Sequence, residues 1–176
     1  LDARGVGEAV RAQFAIGYAP EGFSALKDAL GTDPRRLQLL ERGGMLSKND
    51  RGHVYDKFRD RVMFPILDRR GRVIAFGGRV LKAEDSPKYL NSPETPIYSK
   101  GRTLYGLHLS KAAIRQAGFA VLVEGYFDFA QVYQGGFRGV VASCGTALTP
   151  SQAQQLLRFT DKVVLSFDPD TAGQTA

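Results

Sequence analysis

The chain has 176 residues, of which 43% are hydrophobic and 24% are charged, with a formal net charge of +6, a composition typical of a globular protein. No apolar run approaches the roughly 18 residues that span a bilayer, and the first residues lack the pattern of a signal peptide, so a membrane-spanning or secreted protein is not expected. The chain has a single cysteine, Cys144, so it cannot form an intrachain disulfide, which favours a reducing, cytoplasmic environment. Together with only two histidines, this cysteine leaves no ligand set for a structural zinc site.

Short helices are predicted in the first 47 residues. Val6, Val10 and Phe14 recur at helical spacing, which indicates one helix near the start. Pro34 begins a second predicted helix, which continues over 35–42 and stops at two glycines. The pattern predicts a small helical unit in this part of the chain.

The period of the hydrophobic pattern changes at Val62. Two apolar runs, 62–67 and 73–78, flank a turn-like segment and predict an antiparallel hairpin, in which Pro65 indicates an edge position or a bulge. Residues 82–103 are rich in proline, serine, asparagine and glycine, so they are predicted to form an irregular loop, a type of segment that often carries function.

Strands and helices alternate in the last third of the chain. Ser110 is the predicted N-cap of a helix that ends at Gly118, and three apolar strands follow, each of the kind that is buried on both faces. This alternation predicts a parallel sheet with right-handed crossovers. The predicted strands are 119–124, 139–143 and 162–167, and the predicted helices between them are 127–134 and 151–159. The second of these helices begins with Thr149, Pro150 and Gln152 in capping-box spacing.

Carboxylates follow two of the predicted parallel strands. Glu124 and Gly125 end the first strand, while Asp168 and Asp170 end the third. Ligands gather at the carboxyl ends of the strands in such sheets, and clustered carboxylates repel one another unless a hard cation such as Mg²⁺ or Mn²⁺ neutralises them. A turn or a helix cap is the usual explanation of one such motif, but the two together favour a metal site, to which Asp128 would add an indirect contact.

The positive charge is concentrated in the middle of the chain. Residues 48–118 carry a net charge of +8 and residues 119–176 carry −2. A basic segment beside an acidic one is typical of an enzyme that acts on a polyanion, although a solvated basic face would have the same composition.

Several motifs resemble those of a known family. The runs VEGYFD (123–128), SCGT (143–146) and FDPDTAG (167–173) resemble the TOPRIM module of topoisomerases, primases and some nucleases. The runs at 59–81, 87–95 (PKYLNSPET) and 99–107 (SKGRTLYGL) are similar to the amino-terminal half of the RNA polymerase domain of bacterial DnaG-type primases. The resemblance extends from about residue 6 to the end of the chain.

The resemblance implies a fold and an activity. The fold is an α+β amino-terminal subdomain (1–118), followed by an α/β TOPRIM-like parallel-sheet unit (119–176) with a βαβαβ order truncated at its carboxyl terminus. The activity is synthesis of short RNA primers on single-stranded DNA by metal-dependent nucleotidyl transfer. Glu124, Asp168 and Asp170 would bind Mg²⁺ or Mn²⁺, or Glu124 would act as a general base. The family usually has glycine at the position of Pro169, a difference that leaves the ligands unchanged.

The basic middle segment would contact the nucleotide phosphates and the template. Tyr89 is expected to stack on a base, a contact worth about 1 to 3 kcal/mol. The phosphate and template contacts are assigned to Arg79, Lys88, Tyr89, Asn91, Lys100 and Arg102. Cys144 follows an apolar strand and has no nearby histidine in its motif, so it is interpreted as a small buried side chain.

The resemblance also implies partners beyond the template and the ribonucleoside triphosphates. Because the family continues on both sides of the matched region, the chain is expected to be a fragment of a larger bacterial primase, associated with the nucleoid. The replicative helicase and the single-strand-binding protein would bind regions outside it. Two alternatives remain: a nucleic-acid-binding fragment that is inactive alone, and another TOPRIM enzyme such as a nuclease or a topoisomerase.

Overall fold

The computed structural model describes residues 1–82, 84–145 and 147–167. The chain divides into two compact units. The antiparallel-sheet unit consists of Phe14–Pro65 and Ile74–Ser99. The parallel-sheet unit consists of Leu1–Gln13, Ile66–Val73 and the chain from Lys100 onward. The division at residue 118 therefore stays a prediction about domain organisation along the sequence.

Six α-helices, two single turns of 3-10 helix (Asp2–Arg4 and Lys100–Arg102) and nine strands are assigned within the described residues. The helices are α1 (Glu8–Gln13), α2 (Ala25–Leu30), α3 (Pro34–Arg42), α4 (Leu107–Ala117), α5 (Tyr126–Gln134) and α6 (Pro150–Leu156). The strands are β1 (Gly17–Ala19), β2 (Leu46–Lys48), β3 (Val54–Asp56), β4 (Arg61–Leu67), β5 (Val73–Val80), β6 (Tyr89–Asn91), β7 (Ala120–Val123), β8 (Val140–Ala142) and β9 (Val163–Ser166).

The predicted hairpin is confirmed as β4 and β5. These strands form the centre of a four-stranded sheet in the order β1-β4-β5-β6, and the turn between them is closed by a hydrogen bond from the Gly71 N–H to the Asp68 carbonyl oxygen (2.9 Å). β4 is therefore an inner strand, contrary to the edge position that Pro65 suggested. The strand accommodates this proline because β1 pairs only with Arg61, Val62 and Met63, which leaves Pro65 beyond the paired stretch.

Two parts of the chain contain more regular structure than predicted. The segment predicted as a loop contains β6, which pairs antiparallel with β5 in the register Arg79 with Tyr89 and Gly77 with Asn91. The predicted first helices are confirmed as α1 and α3, but β1 and β2 also lie in that region. Each of these three strands has only three residues, too few to establish an alternating pattern in the sequence.

The predicted parallel sheet is confirmed, with the order β8-β7-β9. Strands β7 and β8 are almost entirely buried, as their apolar runs predict. The expectation that β9 is buried on both faces is wrong, because Val164 and Leu165 are 51% and 56% exposed. Among the described residues β9 pairs only with β7, so it is an edge strand of the described sheet.

The helices of the parallel-sheet unit begin and end at identifiable residues. Helix α4 begins after Gly106, one turn before the predicted start, which places the predicted N-cap Ser110 inside the helix and fully buried. It ends at Gly118 as predicted, in the left-handed conformation (φ 75°) that glycine adopts readily. Helix α6 has the predicted capping box, in which Thr149 and Gln152 bond each other's backbone N–H groups.

The core of the parallel-sheet unit lies between its sheet and its helices. The buried core side chains are those of Leu104, Leu107, Ile114, Ala120, Leu122, Val141 and Leu156.

No helix among the described residues has the length and apolar character needed to cross a bilayer.

Candidate active site

The three parallel strands end together at one edge of their sheet. Val123 at the end of β7 pairs with Ala142 at the end of β8 and with Ser166 at the end of β9. The chain leaving β8 stays against the chain leaving β7, since the Cys144 N–H donates to the backbone carbonyl oxygen of Glu124 (2.8 Å). Glu124 is half-buried at this edge, where the carboxyl ends of parallel strands form a ligand-binding crevice.

The turn that carries Glu124 is fixed by the start of α5. Gly125 is the N-cap residue in an extended conformation, and its N–H donates to Oδ2 of Asp128 (3.0 Å). A Cβ on Gly125 would lie 3.1 Å from the same oxygen, so this close approach suits a glycine. The exposed Asp128 carboxylate thus holds the backbone directly after Glu124, and its indirect contact with a metal stays a prediction.

The other two predicted carboxylates, Asp168 and Asp170, lie outside the described residues. The described chain reaches Phe167, immediately after β9 and one residue beyond the partner of Val123. Their part in the site therefore stays a prediction that follows from their place in the sequence.

The described part of the site offers oxygen donors to a metal. No group of three or more His, Cys, Asp and Glu side chains that would hold an ion occurs among residues 1–82, 84–145 and 147–167. Glu124 supplies one half-buried carboxylate, and carboxylate oxygens are the ligands that Mg²⁺ and Mn²⁺ prefer. Glu124 therefore fits a divalent cation, and the sharing of that cation with Asp168 and Asp170 stays a prediction.

Cys144 follows β8 at this edge and is half-buried. Burial raises the pKa of its thiol, while a hydrogen bond with Tyr126 lowers the pKa, the Asp128 carboxylate raises it and the Lys100 ammonium lowers it. The backbone at Cys144 is left-handed (φ 54°), which is uncommon for a residue other than glycine and marks a sharp turn after β8.

Lys100 and Arg102 belong to the parallel-sheet unit. They lie in a single turn of 3-10 helix, and the chain after this turn joins the sheet where Tyr105 and Ala142 exchange hydrogen bonds of 2.9 and 3.1 Å. Two predicted phosphate contacts are therefore tied to β8, the strand that leads to Cys144. Lys100 is half-buried and Arg102 is exposed.

The other four predicted contacts lie together in the antiparallel-sheet unit. Arg79 on β5 faces Tyr89 on β6, with the guanidinium carbon 4.8 Å from the centre of the ring. Lys88 directly precedes β6 and is exposed, and Asn91 ends the strand and is half-buried. The structure thus groups the side chains of Arg79, Lys88, Tyr89 and Asn91 at β6, an edge strand of the four-stranded sheet, and at the adjacent end of β5.

The sequence interpretation missed the contact made by Arg61. This residue is buried (6% exposed), burial lowers the pKa of its guanidinium, and Nη1 donates to the Pro87 carbonyl oxygen (2.9 Å). The bond fixes the backbone just before Lys88. The only signal in the sequence is an arginine at the start of an apolar strand, which does not indicate an acceptor 26 residues away.

Comparison with known proteins identifies two families along the chain. Residues 1–111 match the family described as the amino-terminal domain of the DNA primase catalytic core. Residues 118–176 match the Toprim domain.

The relatives and solved structures are primases. The chain is 48% identical over its full length to the DNA primase of Escherichia coli K12, and it spans 30% of the length of that protein. It is similar to a DNA primase domain from Pseudomonas aeruginosa (TM-score 0.94, 45% identity, 99% of this chain and 55% of that one). It is also similar to a DnaG primase catalytic domain bound to single-stranded DNA (TM-score 0.90, 48% identity, 100% of this chain and 56% of that one).

Proposed function

The chain belongs to the DNA primase catalytic-core family, and we propose that it forms part of a polymerase that makes short RNA primers on single-stranded DNA. The observation that carries this proposal is the half-buried Glu124 at the edge where the parallel strands end in register, with the turn that carries Lys100 joined to the same edge by the hydrogen bonds between Tyr105 and Ala142. Nucleotidyl transfer requires a carboxylate that binds a metal ion and a cation that binds phosphate.

The proposed reaction is attack of a 3′ hydroxyl on the α-phosphate of a ribonucleoside triphosphate, with release of pyrophosphate. Glu124, Asp168 and Asp170 would hold Mg²⁺ or Mn²⁺, which when bound stabilises the charge on the attacking and leaving oxygens. The bond between Gly125 and Asp128 would keep the Glu124 backbone in place. Lys100 and Arg102 would bind the triphosphate from the basic turn.

Template binding is assigned to the edge strand β6 of the antiparallel-sheet unit and to Arg79 beside it. Tyr89 is 38% exposed, and Arg79 covers one face of its ring, so a base would stack on the remaining surface. Lys88 and Asn91 would contact the sugar–phosphate backbone nearby. A similar structure holds single-stranded DNA, which supports the same ligand here.

A primase is favoured over another TOPRIM enzyme because residues 1–111 match the amino-terminal domain of the primase core, which lies outside the Toprim match. We propose that helicase and single-strand-binding protein contact other parts of the intact protein. The place of action would be the nucleoid of the bacterial cytoplasm.

Primer synthesis by the full-length polypeptide that carries this segment tests the proposal. With single-stranded DNA, Mg²⁺ and labelled ribonucleotides, we expect RNA products of a few to tens of nucleotides whose formation stops on addition of a chelator. A matched reaction without template should give no product. Template-independent product, or cleavage of the DNA in place of synthesis, would contradict a primase.

Binding to single-stranded DNA should weaken steeply with salt. In a plot of log affinity against log salt concentration, each phosphate that the protein neutralises is expected to contribute about −0.7 to the slope. Lys88→Ala removes one such contact and should make the slope shallower by about 0.7. Fluorescence anisotropy with a labelled oligonucleotide measures both slopes. Lys162→Ala removes an exposed lysine before β9, at the opposite end of the sheet from Glu124, and should leave the slope unchanged. Affinity that does not vary with salt would exclude phosphate contacts.

A further inference from the structure

Helix α6 binds the basic turn that carries Lys100 and Arg102. Every backbone carbonyl oxygen from 100 to 103 accepts a hydrogen bond from a side chain of this helix or of its N-cap. The bonds are Gln152 Nε2 to Lys100 O (3.2 Å), Thr149 Oγ1 to Gly101 O (2.6 Å), Gln155 Nε2 to Arg102 O (2.5 Å) and Gln152 Nε2 to Thr103 O (2.8 Å).

Gln152 is the centre of this arrangement. Its side chain is fully buried (0% exposed), Nε2 supplies two of the four bonds, and Oε1 accepts from the Thr149 N–H (3.0 Å). Both ends of the carboxamide are therefore satisfied, which is the condition for burying such a group at little cost. An apolar side chain of similar size would leave the carbonyls of Lys100 and Thr103 without these donors.

We propose that Gln152 is a positioning residue that sets the place of Lys100 and Arg102 at the catalytic edge. The four hydrogen bonds occupy the backbone of the turn, so the side chains of Lys100 and Arg102 extend from a fixed base. The position of that base matters because the chain leaving the turn bonds, through Tyr105, to Ala142 at the end of β8, and Ala142 pairs with Val123, directly before Glu124. A shift of the turn moves the cations relative to the carboxylate.

This inference rests on the proposed role of Lys100 and Arg102 in binding the triphosphate. It adds that α6, which offers no charged side chain of its own, determines affinity for the nucleotide through the turn. Ligand distances at a reacting centre tolerate little error, and a displacement of about 1 Å can cost on the order of 100-fold in rate.

The test compares steady-state primer synthesis by variants of the full-length polypeptide. For Gln152→Leu we expect the KM for ribonucleoside triphosphate to rise about 10-fold, with a smaller change in kcat, because the turn is displaced while Glu124 stays in place. Gln154→Leu is the matched control, since Gln154 is an exposed neighbour on the same helix, and its KM should match that of the wild type. Gln155→Ala removes the bond to Arg102 and a longer one to the Ser151 carbonyl oxygen within the helix (3.5 Å), but neither Gln152 bond, and should raise KM less than Gln152→Leu.

A double variant separates this inference from the function on which it rests. If Gln152 acts through the turn, Gln152→Leu added to Lys100→Ala should raise KM less than it does in the wild type. If Lys100→Ala leaves KM unchanged, the proposed triphosphate contact is wrong. If Lys100→Ala raises KM but Gln152→Leu and Gln155→Ala do not, the positioning role is wrong. Should Gln152→Leu fail to fold, Gln155→Ala decides the question, because Gln155 is half-exposed and its loss leaves the capping box intact.

Discussion

Replacing Glu124 by glutamine is expected to reduce primer synthesis by at least about 100-fold, the scale seen when one preorganised electrostatic group is removed from an active site. Glutamine keeps the size and the hydrogen-bonding reach of the side chain but removes its negative charge. The backbone of the turn should be unaffected, because its bonds run from Cys144 N–H to the Glu124 carbonyl oxygen and from Gly125 N–H to Asp128. Labelled-ribonucleotide incorporation by the full-length polypeptide measures the loss.

Asp161→Asn provides the matched control for this substitution. Asp161 is exposed and precedes β9, so it lies at the end of the sheet opposite to Glu124, and its neutralisation changes the net charge by the same amount. Its activity should stay within about twofold of the wild type, since surface charges far from a site contribute little. Equal activity of Glu124→Gln and the wild type would remove Glu124 from the reaction.

The same variant distinguishes the two roles open to Glu124. A metal ligand predicts that residual activity recovers in part as the Mn²⁺ concentration is raised, because a weakened site fills at higher concentration. A general base predicts that added Mn²⁺ has no such effect.

The parallel part of the fold was predictable because each of its signals is local. The apolar runs of β7 and β8 have the length and composition of doubly buried strands, and the capping box of α6 can be identified from Thr149, Pro150 and Gln152 alone. Glu124 could be assigned to the carboxyl edge for the same reason, since its place follows from strand order.

The missed features depend on partners far apart in the sequence. β6 forms by pairing with β5, which places Tyr89 opposite Arg79, and the buried Arg61 donates a hydrogen bond to a carbonyl oxygen 26 residues away. The bonds from Gln152 to the turn at Lys100 join residues 52 and 49 positions apart. No periodicity within either segment indicates such a pair, so the glutamine was assigned to capping alone.

Gly106→Ala is expected to destabilise the parallel-sheet unit more than any other glycine substitution considered for that unit. Gly106 has a left-handed backbone (φ 79°), and an added Cβ would lie 2.0 Å from Cε2 and 2.2 Å from Cζ of Phe129. Phe129 cannot yield easily, because its ring is fully buried, lies edge-on to Tyr105 and is stacked on Tyr133. The left-handed conformation costs about 1–2 kcal/mol and the overpacking about 1–3 kcal/mol more.

Gly118→Ala isolates the backbone part of this cost. Gly118 ends the helix that Gly106 begins and has nearly the same left-handed backbone (φ 75°), but nothing lies within 4 Å of the position its Cβ would take. In thermal unfolding of the full-length polypeptide, with hydrogen exchange of the α4 and α5 amides to locate the change, Gly118→Ala should lose about 1–2 kcal/mol and Gly106→Ala about 2–5 kcal/mol. Equal losses would mean that Phe129 moves aside at no cost. Because Tyr105 bonds Ala142 of β8 and packs against the same ring, we expect Gly106→Ala also to loosen the segment that joins the basic turn to the sheet, so its primer synthesis should fall while that of Gly118→Ala persists.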